Sequence, residues 1–134
     1  MSRSEPEKRT PRLIVKGDRD NEVVDVQARL RSLGYRIDDE TGTFGDSTQR
    51  AVRAFQQQRG ILVDGIVGRD TWGELVEASW RLGDRPLYLR RPFLRGDDIV
   101  TLQTQLNALG FDAGREDGIF GERADRAVRG FQRE

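Results

Sequence analysis

Apolar residues recur at Val23, Val26, Leu30 and Leu33, spaced three, four and three apart. That spacing marks one face of an amphipathic helix. It returns at Ile99, Leu102, Leu106 and Leu109. Gly34 and Gly110 follow each stripe directly, where a left-handed residue would end the helix. Helices are therefore expected over roughly 21–33 and 97–109. A further stripe, Thr48, Ala51, Val52 and Phe55, predicts a second helix, matched by Ala124, Ala127, Val128 and Phe131. Asp46 is its expected N-cap, with Gln49 three residues on completing a weak capping box. Trp72, Leu75, Val76 and Trp80 predict a third helix, which has no counterpart after Gln132.

These matches are one internal repeat: Asn21–Gln58 aligns without gaps onto Asp97–Glu134. The phrase TGTFGDSTQRAVRAFQ at Thr41–Gln56 reappears as DGIFGERADRAVRGFQ at Asp117–Gln132. A repeat of this kind means two copies of one structural unit. In each copy a loop ends in paired glycines around a large apolar residue, Phe44 or Phe120, which is expected to tuck into the core. Asp64-Gly65-Ile66-Val67-Gly68 repeats that shape before the third helix.

The expected fold class is all-α: two small three-helix modules in tandem, the second truncated after its second helix. The expected division is a disordered tail over 1–12, module one over 13–80, a linker over 81–95 and module two over 96–134. In the linker, Leu87, Tyr88, Phe93 and Leu94 are expected to pack on a module. A strip of the second module's core should be open or covered from elsewhere.

Composition narrows the chemistry. The 134 residues are 35% hydrophobic and 34% charged, so each core must be small. The 23 basic and 23 acidic side chains cancel, which argues against a binder held by nucleic-acid phosphates. Without Cys or His there is no disulfide, no Cys/His zinc site and no histidine-based triad. No cofactor or metal is expected. No apolar run approaches the roughly 20 residues that span a bilayer, and the first residues carry no apolar signal-like core.

The glycine loops precede helix N-termini, where backbone N–H groups can hold anions. The alternative is that they only shape turns, since they lack the Lys and the length of a P-loop. Asp38-Asp39-Glu40 does not fit a calcium loop, because Gly42 falls where a ligand is needed, and it reads as a solvated acidic turn. A glycosidase needs only two carboxylates but also a deep cleft, which short helices cannot easily build. Candidate ligand-binding residues are Tyr35, Arg53 and Asp64 beside the first copy's loops, with Phe111 and Arg129 in the second. Aromatic edges can stack on a sugar or stem peptide, and an Arg fork suits a carboxylate.

Gly17-Asp18, Val26-Gln27-x-x-Leu30-x-x-Leu33-Gly34-Tyr35, Gly42-x-Phe44-Gly45-x-x-Thr48-x-x-Ala51-Val52-x-x-Phe55-Gln56 and Val63-Asp64-Gly65-x-Val67-Gly68-x-x-Thr71-Trp72 together resemble the peptidoglycan-binding domain family. The resemblance covers nearly all of the first copy and continues through Phe131-Gln132 in the second. The paired arrangement is similar to the front of actinobacterial N-acetylmuramoyl-L-alanine amidase-like proteins. It implies non-catalytic binding of peptidoglycan, muropeptides or stem peptides, in the service of a C-terminal hydrolase domain and, if exported, at the cell wall. The metal-binding His and Glu of such an amidase are not in this chain. The alternative is a cytoplasmic regulatory or protein-interaction module acting on wall-precursor synthesis.

Overall fold

The computed structural model describes residues 13–134, so the expected tail over 1–12 lies outside the described residues. The helices are α1 (Asn21–Ser32), α2 (Asp46–Arg59), α3 (Arg69–Ala78), α4 (Asp97–Ala108) and α5 (Glu122–Arg133). Two-residue strands β1 (Leu94–Arg95) and β2 (Ile119–Phe120) pair antiparallel. The fold is all-α, as the periodicity predicts, with strand pairing confined to fastening loops. The chain divides into two compact units, Met1–Leu75 and Val76–Glu134.

In the first unit α1 is capped by Asp20, whose carboxylate accepts from the Val23 N–H at 3.1 Å. Its buried face is Val23, Val26, Gln27 and Leu30. At its end Gly34 takes φ +98°, a conformation that only glycine adopts cheaply. The Gly34 N–H bonds to Arg31 O and the Tyr35 N–H to Leu30 O. This is the paired closure that satisfies the last carbonyls of a helix. Leu33 becomes the cap and is only half-buried, so the inward stripe stops one residue earlier than its spacing predicts.

α2 buries Thr48, Ala51, Val52 and Phe55, the expected stripe, and adds Ser47 and Gln56. Its N-cap is Gly45, which corrects the expectation for Asp46. Asp46 is the first helical residue, exposed and ion-paired with Lys16. The capping carboxylate comes from Asp39 in the preceding loop. It accepts from the Gly45 N–H at 2.9 Å and from the Thr48 N–H at 2.7 Å. Asp39 is therefore not part of a merely solvated turn. Short backbone bridges, Arg19 with Thr43 and Ile14 with Val67, tie the glycine turns to the segment before α1.

The second unit repeats the helix pair. Arg95 pairs with Ile119 as Arg19 pairs with Thr43. Gly110 and Phe111 close α4 on Asn107 and Leu106 as Gly34 and Tyr35 close α1. Leu94, Ile99, Phe120 and Ala124 form one buried cluster, with Leu87 packed against it. Leu106, Ala113 and Ala127 form another. Leu87 and Leu94 thus pack as expected, whereas Tyr88 is exposed. Arg85 makes a two-point ion pair with the buried Asp98, at 2.9 and 3.0 Å, and lies 4.2 Å over the Trp80 ring. Two expected core residues turn out exposed, Leu109 at 62% and Phe131 at 49%. Leu109 is the helix cap, and nothing in this unit covers Phe131 as the first unit covers Phe55.

Candidate functional site

Three buried glutamines organise the glycine turns. Gln27 on α1 donates to Glu40 O, Thr43 O and the Thr48 hydroxyl, and accepts from the Gly42 N–H. Gln56 on α2 donates to Asp64 Oδ1, Ile66 O and the Thr71 hydroxyl, and accepts from the Asp64 and Gly65 N–H groups. Gln103 on α4 donates to Asp117 Oδ1 and Ile119 O, and accepts from the Gly118 N–H. A primary amide is both donor and acceptor, so one side chain can serve both polarities of a turn. Among the described residues no buried side-chain polar atom lacks a partner. Gln27 and Gln56 belong to the family-like motifs of the sequence, but the motifs alone do not assign them this work. A signal for it exists: a polar residue on the apolar face of a helix, ahead of a glycine turn.

The five candidate residues are placed as follows. Arg53 lies across the Gly65 turn, its Nε 3.0 Å from where a Cβ on Gly65 would stand. It has no ion pair among the described residues. Asp64 caps that turn, accepting from the Ile66 N–H and from Gln56. Arg53 and Asp64 therefore come to one turn. Tyr35 packs edge-on against Phe55, with centroids 6.2 Å apart. Residues two apart on a helix point about 200° from each other, so Phe55 holds Tyr35 on another side of α2 from Arg53. Phe111 repeats this against Phe131 at 5.8 Å. Arg129 pairs with Asp125 one turn back at 2.9 Å.

Each unit has an open cleft beside its glycine turns. In the first, a cleft of about 360 Å³ is lined by Leu13, Ile61, Leu62, Asp64 and Ile66 and by the start of α3. In the second, a cleft of about 530 Å³ lies at the start of α5, with Phe93, Ala113 and Ala124 among its walls. Four arginines line it, Arg91, Arg115, Arg123 and Arg126, against the carboxylates of Asp117 and Glu122.

Partial burial pushes the Asp39 carboxyl up, but hydrogen bonds from Thr48, Ser47 and Gly45 outweigh it and hold it below the ordinary carboxylate range. The Arg123 guanidinium and the Gly114 N–H likewise lower Asp112. Among the described residues no group of three or more acidic side chains is placed to hold a metal ion. None of the described helices is long and apolar enough to cross a membrane.

Residues 19–75 and 95–134 match the family model described as "Putative peptidoglycan binding domain". The chain is 46% identical over 130 residues to N-acetylmuramoyl-L-alanine amidase CwlM of Mycobacterium tuberculosis, covering 88% of this chain and 32% of that protein. It is 34% identical over 120 residues to a spore cortex-lytic enzyme of Halalkalibacterium halodurans, covering 87% of this chain and 36% of that protein. The crystal structure of the SleB N-terminal domain superposes with a TM-score of 0.50 at 35% identity, covering 52% of this chain and 94% of the domain. The chain thus spans about a third of the length of these curated relatives. With two matched segments laid over its two helix pairs, the chain belongs to the peptidoglycan-binding domain family, related to N-acetylmuramoyl-L-alanine amidases and spore cortex-lytic enzymes.

Proposed function

We propose that this chain is the non-catalytic wall-binding part of a cell-wall hydrolase, gripping peptidoglycan or its stem peptides and delivering an attached amidase domain. The family match over both helix pairs is the observation that carries this reading. Two copies on one chain strengthen it. A second weak contact becomes intramolecular once the first is made, which raises overall avidity. Cell-wall placement follows if the protein is exported.

The ligand-facing surface we assign is the rim of the glycine turns. Arg53 and Asp64 offer a cation and a carboxylate at the Gly65 turn. The partly exposed rings of Tyr35 and Phe111 offer stacking edges at the corner between helices, and Arg129 a further guanidinium. The test is co-sedimentation of the chain with insoluble, protein-free peptidoglycan at low salt. Binding is expected, reduced several-fold by joint replacement of Arg53 and Arg129 with Ala at unchanged thermal stability. A chain that stays in the supernatant overturns the reading.

A further inference from the structure

The two units treat the start of their second helix in opposite ways. In the first, the Asp39 carboxylate occupies the space before α2 and accepts from the Gly45 and Thr48 N–H groups. Counting along the repeat, Arg115 stands in place of Asp39, Ala124 in place of Thr48 and Arg123 in place of Ser47. Among the described residues no side-chain hydrogen bond reaches the first amides of α5, whose N-cap is Gly121, and the 530 Å³ cleft opens there. The carboxylate that fills this position in one copy has been exchanged for a cavity and a guanidinium in the other.

The geometry points to the α5 cleft as a carboxylate-binding site, with Arg115 and Arg126 as its charged contacts and the amides at 122–124 as its donors. The chemistry of the cleft is consistent with that occupant. Its acidic groups are already engaged: Glu122 with Arg91 at 2.9 Å, and Asp117 with Gln103 and the Ile119 N–H. Asp112 at the edge is held by Arg123, and Asp125 by Arg129. Arg115 and Arg126 are exposed and have no ion pair among the described residues, although Asp112 feels the Arg126 charge. Phe93, Ala113 and Ala124 supply an apolar wall beside these charges. A carboxylate next to a small apolar side chain, as at the end of a short peptide, matches both surfaces. A guanidinium binds such a group through two parallel N–H bonds. Identifying this ligand with a stem peptide rests on the peptidoglycan reading; the site itself does not.

The experiment is amide NMR titration of the full chain with N-acetyl-D-alanyl-D-alanine, with its C-terminal amide, and with inorganic phosphate. The acid is expected to shift the amides of Glu122, Arg123 and Ala124, with the C-terminal amide at least tenfold weaker. Arg115→Ala with Arg126→Ala should weaken binding of the acid at least tenfold. Arg115→Asp with Ala124→Thr should abolish it, while moving the Gly121 amide resonance without ligand as the internal carboxylate takes its place. Equal binding of acid and amide, shifts elsewhere, or phosphate binding that excludes the dipeptide overturns the proposal. Sedimentation separates the two readings. If the wild-type chain and the double-arginine variant pellet equally with peptidoglycan, the identification of the cleft's ligand with a stem peptide fails and wall binding stands. If neither pellets while the dipeptide still saturates the cleft, wall binding fails and the site stands.

Discussion

Phe55 and Phe131 occupy the same place in the repeat, yet one is 2% exposed and the other 49%. Both meet an aromatic ring from the preceding helix end edge-on. The difference lies in the residues next along the chain. After Phe55, Gln56 gathers the Asp64–Gly65 turn against the start of α3. After Phe131, Gln132 is exposed and gathers no turn. The second unit instead draws on Arg85, Leu87 and Trp80 to close its other side. One repeated sequence thus yields a unit sealed by a third helix and a unit sealed by its leading segment.

That contrast is open to direct attack. The largest effect is expected at Phe55→Ala, about 3–5 kcal/mol of stability from lost burial and the cavity left behind. Phe131→Ala should cost under about 1.5 kcal/mol, because half the ring is already in water. Urea unfolding of both variants checks this, and equal costs would erase the distinction. Of similar size is Arg85→Ala. It strands Asp98, only 1% exposed, without its cation, and breaking such a pair costs about 3–5 kcal/mol. Glu22, the matching residue of the first unit, is exposed, and Glu22→Ala should cost no more than the roughly 1 kcal/mol of a surface charge interaction.

Next comes Gln56→Leu, which leaves the Asp64 and Gly65 N–H groups without their acceptor. A loss of about 1–3 kcal/mol is expected, with Gln132→Leu neutral. Hydrogen exchange at Gly65 reports it directly, by faster exchange in the first variant only.

The smallest effect concerns the caps. Asp39→Asn should cost about 1 kcal/mol near neutral pH. Because folding lowers the Asp39 pKa, its contribution is complete above the ordinary value of 3.8 and vanishes as pH falls through the lower folded value. The variant should therefore lose the part of the acid-induced destabilisation that Asp39 supplies below about pH 4. Arg115→Ala, at the matching position, should leave the acid profile unchanged. Thermal melts from neutral to acid pH compare the two.

Much of the fold was legible because helical spacing is a local property. Val23, Val26 and Leu30 are buried, and so are Ile99 and Leu106, as the three-and-four spacing requires. Gly34 and Gly110 end their helices because a left-handed residue is needed there. The cap of α2 was misread because Asp39 reaches it across a loop, and a capping pattern read along the chain sees only neighbours. Leu109 and Phe131 were misplaced for a related reason. Periodicity says which side of a helix is apolar, but not whether anything arrives to cover it.

The candidate site was less legible. Arg53 and Asp64 meet at one turn, but Tyr35 is carried elsewhere by Phe55. The glutamines that hold the turns sit inside the family-like motifs, where their partners, eight to twenty-one residues away, cannot be read from spacing. The arginine cleft was missed, since Arg91, Arg115 and Arg126 converge only when the β1–β2 pair and α5 are assembled.

The sequence by itself determined the duplication, the helices, the glycine-ended caps and the family, all set by short-range spacing and residue type. Only the tertiary structure decided which polar residues are internal struts and which charges face open space. Hydrogen bonding and burial depend on partners far along the chain. Asp39 and Arg115 hold the same place in the repeat; folding makes one a cap and leaves the other at the mouth of a cleft.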